Sequence, residues 1–350
     1  MSEYWQTFID GYQGYANYLW NEITHPTVHS YFYWLIAVSI FFLMLEWGKP
    51  WRKNQPRFRK DFWLDAFYMF FNFFLFSLII YNALSDVFVH LFNDLVYNLT
   101  QINLSKLNPM YRWPTWAILL TGFLVRDFIQ WWVHRLLHRS KWLWEFHKVH
   151  HSVEQMGFAA QLRYHWMENV VYRALEYLPL ALLGIGLHDF FIIHIFTLAV
   201  GHFNHANITV PGWKSAGVVG ALIGIVIAWS LLDVQLLSYP SLVLKFAVVG
   251  ISSISFSLFL GPWMRKVFNN PEMHIWHHAY ELPPDRTYGV NFGLSLAIWD
   301  YIFGTAYVPK SGRDIRLGFP GIENFPKDFV HQNLHGYFNR KFQKISDHTD

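Results

Sequence analysis

One stretch constrains this chain more than any other. Residues 134–151, HRLLHRSKWLWEFHKVHH, hold five histidines: His134, His138, His147, His150 and His151. Two further sets follow, His202 and His205 in HFNHAN, then His274, His277 and His278 in HIWHH. On a helix, residues three and four apart share a face. His134/His138 is an i,i+4 pair and His202/His205 an i,i+3 pair. His147/His150/His151 and His274/His277/His278 use one i,i+3,i+4 triplet twice. Each cluster can aim several imidazoles at one point, and neutral imidazole binds Fe, Zn, Cu and Ni well. Ten ligands are too many for one ion, but two metals with about five nitrogens each would use them. A lone histidine on a helix face is usually structural, whereas four clusters with a repeated spacing are not explained that way. The chain therefore has to bring segments from 134 to 278 together.

Composition narrows how. The 350 residues are 53% hydrophobic and 20% aromatic but only 15% charged, against about 25% charged in soluble domains. This predicts an all-α integral membrane bundle. No linker is visible, so residues 1–350 read as one membrane domain. The absence of cysteine excludes disulfides, thiolate catalysis and Cys-ligated metal centres. The net charge of +3 is small, and the basic residues flank apolar stretches, so no nucleic-acid partner is expected. The start, MSEYWQTFID, lacks the basic-then-apolar pattern of a secretory signal.

Membrane helices are expected over 31–133, with spans at 31–48, 66–84 and 114–133. The first is followed by KPWRKNQPRFRK, residues 49–60, with six basic residues and no acid. The positive-inside rule puts that loop in the cytoplasm. Residues 1–30 read as an interfacial lead-in and 93–113 as an outer connector. Arg126 and Asp127 fall inside the third span, where charges need partners. Asp127 is predicted either to support His134 on the same helix face or to pair with Arg126. Residues 152–169 read as a connector along the membrane surface, and 170–200 as a short helical hairpin broken near Leu183–Asp189. An apolar pair, 216–261, precedes a polar, basic end of the chain, of which 309–350 is a cytoplasmic tail. The three proposed inner regions, 49–60, 134–165 and 264–350, hold 21 of the 27 Lys and Arg, which puts the histidine clusters on the cytoplasmic side of a multi-pass protein. There is no solenoid repeat or low-complexity tract.

The order HxxxH, HxxHH, a later His pair and a second HxxHH resembles the fatty acid hydroxylase (sterol desaturase) superfamily, including its alkylglycerol monooxygenase-like bacterial branch. RYHWME at 163–168 is similar to an RFHPxE segment of that family, and HANI at 205–208 to HSNI. NPEMHIWHH at 270–278, Asn291 before Phe292-Gly293, and WDYIFGT at 299–305 resemble its closing block. The resemblance spans about 115–308, which is the expected catalytic region. One departure stands out: 68 residues separate His205 from His274, far more than in many bacterial members, so 216–261 reads as an inserted hairpin.

The resemblance implies two iron ions and O₂-dependent hydroxylation of a lipid: a fatty acyl, sterol, sphingolipid or ether lipid. His134, His138, His147, His150, His151, His205, His274, His277 and His278 are the expected catalytic ligands, His202 completes the metal set, and His165 is an eleventh candidate. Glu145, Glu168, Glu272, Asp300, Asn204, Asn207 and Asn291 are candidate partners of the ligands. With no GxGxxG fingerprint and no fused haem domain, electrons must come from elsewhere, and the resemblance allows a ferredoxin, a b-type cytochrome or a pterin. The membrane is the bacterial inner membrane or the endoplasmic reticulum. Lipid desaturation is the nearest alternative, since both reactions begin with hydrogen abstraction. A membrane metal transporter or a non-catalytic zinc scaffold are the alternatives of another class. His25, His29, His90, His194, His331, His335 and His348 are expected in surface or structural roles.

Overall fold

The computed structural model describes residues 3–76, 82–103, 109–110, 112–185, 187–231 and 241–338. Residues 77–81 of the expected 66–84 span, 104–108 and 111 of the outer connector, 232–240 of the 216–261 pair, and His348 lie outside the described residues. Among those described, the chain is all-helical, with no strand and two isolated bridges, Phe268–Leu296 and Ala279–Leu317. The helices are α1 (Glu3–Thr24), α2 (Tyr31–Gly48), α3 (Phe62–Phe70), α4 (Asn82–Thr100), α5 (Thr115–Arg139), α6 (Lys141–His151), α7 (Trp166–Leu182) and α8 (Leu187–His205). They continue with α9 (Gly212–Leu231), α10 (Ser241–Phe259), α11 (Met264–Val267), α12 (Pro271–His277), α13 (Ile298–Ile302) and α14 (Phe329–Phe338). Among the described residues one helix, α2, is long and apolar enough to cross a membrane, while Phe62–Leu75 and Leu244–Phe259 are apolar but shorter.

Local chemistry explains the elements around the clusters. The chain enters α5 from Pro114 and leaves it at Ser140, whose hydroxyl accepts from Leu143 N at 3.3 Å. Ser140 thus ends α5 and caps α6, a cap worth about 1 kcal/mol. The resulting corner folds His134 and His138 back over His147, His150 and His151. Asn270 caps α12 by accepting from Met273 N at 3.1 Å, with Pro271 preset in the first turn. The 170–200 segment breaks between α7 and α8, where Gly184 takes a φ of 74°, a backbone that favours glycine. The helices α9 and α10 pack mainly on each other.

The connector after α6 does not lie along a surface. Val153, Met156, Phe158, Ala159, Ala160, Leu162, Arg163 and His165 are buried. Burying Arg163 requires counter-charge, supplied by Asp61 at 2.9 Å and Asp65 at 3.4 Å, with Arg59 also paired to Asp65. The strap's carbonyls at Leu162 and Tyr164 accept from Asn72 Nδ2 at 3.3 and 2.9 Å. Asn72 sits in a π-helical turn, Phe71–Leu75, that extends α3. Such turns commonly redirect one side chain out of helical register.

Arg126 and Asp127 do not pair with each other. Arg126 Nε donates to Glu176 at 3.3 Å and Nη1 to Thr197 at 2.6 Å. Asp127 accepts from Ser295 N, Leu296 N and Trp299 Nε1 at 3.0, 3.2 and 2.8 Å. It therefore braces the 290–300 loop instead of contacting His134, because those backbone N–H groups would otherwise be buried without partners, a loss of about 1–3 kcal/mol each.

Candidate metal centre

Nine of the ten clustered histidines converge in two groups. His134, His138, His147, His151 and His277 form one, and His150, His205, His274 and His278 the other. Within each group the ligand nitrogens all lie within 4.8 Å of one another. Nitrogens bound to one ion at about 2.0–2.1 Å stand at most about 4.2 Å apart. Closing each group on an ion thus takes shifts of a few tenths of an ångström. All nine are buried except His138, which is half-buried.

Hydrogen bonds fix the tautomers. The structure places Nδ1 of His134 2.8 Å from the Phe292 carbonyl, of His277 2.8 Å from that of Val290, of His150 3.0 Å from that of Arg163, and of His205 2.9 Å from that of Gly201. His147 Nδ1 lies 2.8 Å from Glu168 Oε2. His138 is hydrogen-bonded to the Tyr288 backbone. A carbonyl or carboxylate only accepts, so these Nδ1 atoms carry the proton and Nε2 presents a lone pair. In the five-histidine group the buried Nε2 atoms of His134, His138, His147, His151 and His277 have no hydrogen-bond partner. In the other, His150 Nε2 and His205 Nε2 stand 3.3 Å apart although neither carries a proton. Lone pairs converging in this way repel unless a cation lies between them. The donor set therefore fits two metal ions, and its all-imidazole character suits Fe, Zn, Cu or Ni.

Burial first, and neighbouring histidines second, keep these rings neutral. His134 is pushed down to about 3 and His150 to about 4. For His150 burial is opposed by the hydrogen bond to the Arg163 carbonyl, and the Arg163 guanidinium adds a smaller downward push. His138, His147, His151, His205, His274, His277 and His278 lie well below the usual histidine value, mainly through burial. A ligand that is already neutral needs no deprotonation to bind metal.

One loop supports most of the five-histidine group. Residues 288, 290 and 292 hold His138, His277 and His134 through alternate backbone groups. Asn291, between them, has a φ of 55°, which asparagine tolerates better than most residues. Its side chain donates to the carbonyls of Met273 and Tyr307 at 2.8 and 2.7 Å and accepts from Tyr307 N at 2.7 Å. Asp300 accepts from Phe292 N, Gly293 N and Trp131 Nε1, at 2.8, 2.8 and 3.0 Å. Gly289, at a φ of 111°, lets the loop approach closely: a Cβ there would stand 3.0 Å from His138 Nδ1.

The structure places other candidates away from both groups. His202 meets Gln161 through Nδ1 and Ser39 through Nε2, the latter at 3.1 Å. His165 lies 2.8 Å from the Asn333 carbonyl and accepts from Met167 N at 3.0 Å. Glu272 pairs with Arg265 and Thr209, and Glu145 with Lys148 and His335. Asn204 donates to Leu294 O, and Asn207 joins Arg52 and Glu46. Of the carboxylates singled out, Glu168 touches a ligand directly and Asp300 acts through the loop. Asn269, not singled out, has Nδ2 3.4 Å from His274 Nδ1 and donates to Gly293 O at 2.6 Å. Its position next to the capping residue Asn270 was its one visible signal.

The fold and site thus describe a helical protein with two adjacent all-histidine groups that could each hold a metal ion. Residues 119–221 match the family model for fatty acid hydroxylase. The chain is 27% identical over 233 residues, 67% of its length, to ornithine lipid hydroxylase OlsE of Rhizobium tropici. Over 57 residues, 16% of the chain and 18% of the relative, it is 46% identical to very-long-chain aldehyde decarbonylase GL1-10 of Oryza sativa subsp. japonica. The chain is thus similar to the fatty acid hydroxylase superfamily across this matched region. It spans about half, 54%, of the length of the OlsE relative. No solved structure matches it.

Proposed function

We propose that this protein is a membrane-bound di-iron oxygenase that uses O₂ and an external reductant to hydroxylate a C–H bond of a lipid. The observation that carries the reading is the pair of converging imidazole groups, nine neutral rings, with the five Nε2 atoms of the larger group buried and without a hydrogen-bond partner. The family and the relative named as a lipid hydroxylase support iron and lipid hydroxylation in particular. Iron bound there would supply the reductive activation of O₂ that attack on an unactivated C–H bond needs.

The chain's own residues supply the rest. The carbonyls at 163, 201, 290 and 292 and the Glu168 carboxylate hold ring orientation and ligand basicity. Phe292 and Trp144 lay their rings 5.2 and 5.0 Å from His138 and exclude water on that side. We further read the protein as multi-pass, with α2 crossing the bilayer and the centre on the cytoplasmic face, in keeping with the basic bias of 49–60, 134–165 and 264–350. The basic inner face suits an acidic electron donor such as a ferredoxin.

The test is lipid mass spectrometry on cells expressing the wild type or His150→Ala alongside a competent electron donor. A lipid heavier by one oxygen in the wild type alone is expected. A lipid lighter by two hydrogens would make the protein a desaturase, and identical lipidomes would contradict the enzyme reading.

A further inference from the structure

The basic loop after α2 is more than a topology signal. A chain of hydrogen bonds pins it to the strap and to the end of α8. Trp51 N donates to Asn207 O at 2.9 Å, Arg52 N to Asn207 Oδ1 at 2.8 Å, and Gln55 Nε2 to Met156 O at 2.7 Å. Glu46 Oε1 accepts from Phe158 N and Asn207 N at 2.8 and 2.7 Å. These bonds leave a cavity of about 200 Å³ whose lining includes Glu46, Lys53, Gln55, Arg57, Arg59 and Asn207. A single water needs only about 10–15 Å³ of such space.

The lining is charged unevenly. Arg59 is committed to Asp65, and Glu46, Gln55 and Asn207 are committed to backbone groups. Lys53 and Arg57 are exposed and have no carboxylate partner among the described residues. Lys53 and Arg57 face the cavity against the single carboxylate of Glu46, which leaves the lining net positive, and Arg offers a fork that matches phosphate oxygens.

Its depth points to the source of the anion. With 18 residues, α2 is about 27 Å long at 1.5 Å per residue, close to the roughly 30 Å hydrocarbon core. The loop at its end is thus level with lipid headgroups. The rim is aromatic: Trp47, Phe58 and Trp63 are exposed, and the Phe58 ring lies 5.3 Å from that of Trp47 and 5.9 Å from that of Trp63. Trp at this level is the usual signature of the membrane interface.

We propose that this cavity binds the phosphate of an anionic membrane phospholipid, held by Lys53 and Arg57. It rests on the reading above only in taking α2 as membrane-spanning, and it needs no metal. Because Asn207 follows the ligand His205 by two residues, an occupied cavity would also tie the loop to the end of the ligand-bearing helix.

The experiment uses the full chain in neutral detergent, with thermal melting followed against added phosphatidylglycerol, phosphatidylcholine or inorganic phosphate. Phosphatidylglycerol should stabilise the wild type saturably, while the other two have little effect at equal concentration. Each cation near an anionic surface is worth about fivefold in binding. Lys53→Gln with Arg57→Gln should therefore need about 30-fold more phosphatidylglycerol for half the effect. The control, Lys310→Gln with Arg313→Gln, should match the wild type. An unchanged midpoint in the first pair would overturn the proposal, as would equal loss in both pairs. Stabilisation by inorganic phosphate alone would overturn the lipid assignment. Iron content, measured on the same samples, separates this outcome from a failure of the di-iron reading.

Discussion

The two histidine triplets have one spacing and opposite allegiance. In 147/150/151, the i and i+4 rings serve the five-histidine group and the i+3 ring crosses to the other. In 274/277/278, the i and i+4 rings serve the four-histidine group and His277 crosses back. At 100° per residue, i+4 lies about 40° from i, and i+3 about 60° to the other side. The nearer pair stays together and the third ring reaches across. Each triplet therefore bridges both groups, which couples the two groups through α6 and through α12 with its capping residue His278. The groups then differ in what completes them. An i,i+4 pair, His134/His138, joins the first, whereas His205 alone joins the second. Its i,i+3 neighbour His202 is turned towards Ser39 and Gln161. A wider angular step is enough to send that ring elsewhere.

This asymmetry orders the expected effects. The largest should come from His278→Ala, which leaves three nitrogens in the smaller group. Metal content should fall by about one ion per chain, and product by more than 100-fold, since even partners of ligands cost roughly 10–100-fold. His151→Ala leaves four nitrogens in the larger group, as many as its neighbour has natively, and should retain both ions. Equal losses in these two variants by elemental analysis would break the five-against-four distinction. Next is Asn291→Ala, which releases the loop holding three ligands of the larger group. A chelator titration should show about 10–100-fold weaker binding of one ion, with the other unchanged. Loss of both would mean that the loop supports the whole centre. Glu168→Gln keeps an oxygen that can accept from His147, so the weakening should be about tenfold or less, and greater in Glu168→Ala. The smallest effect is expected from His202→Asn: elemental analysis should find unchanged metal content, and a lost ion would return His202 to the ligand set.

Much of the centre was legible because histidine spacing on a helix specifies a face. The face does not say which of two neighbours a ring will meet, so the division of each triplet was not readable. Nor were the supports from the Arg163, Gly201, Val290 and Phe292 carbonyls, since every residue carries a carbonyl. Asn291 gave a partial clue through its tolerance of positive φ. Asp127 illustrates the limit of face arguments: seven residues from His134, it instead satisfies Ser295, Leu296 and Trp299. The stretch 152–169 read as a connector along the membrane surface because its composition is semi-polar. Pairing with Asp61, Asp65 and the Asn333 carbonyl allows it inside. Of the apolar stretches read as spans, α2 alone meets the requirement for a crossing by itself among the described residues.

The proposed centre holds two ions in two imidazole groups joined by exchanged triplets. Its most direct test is the iron content per chain of the protein purified after expression with iron, wild type beside His278→Ala. Two irons per chain falling to about one in the variant is the predicted result. A single ion per chain in the wild type, or two in both proteins, would contradict it.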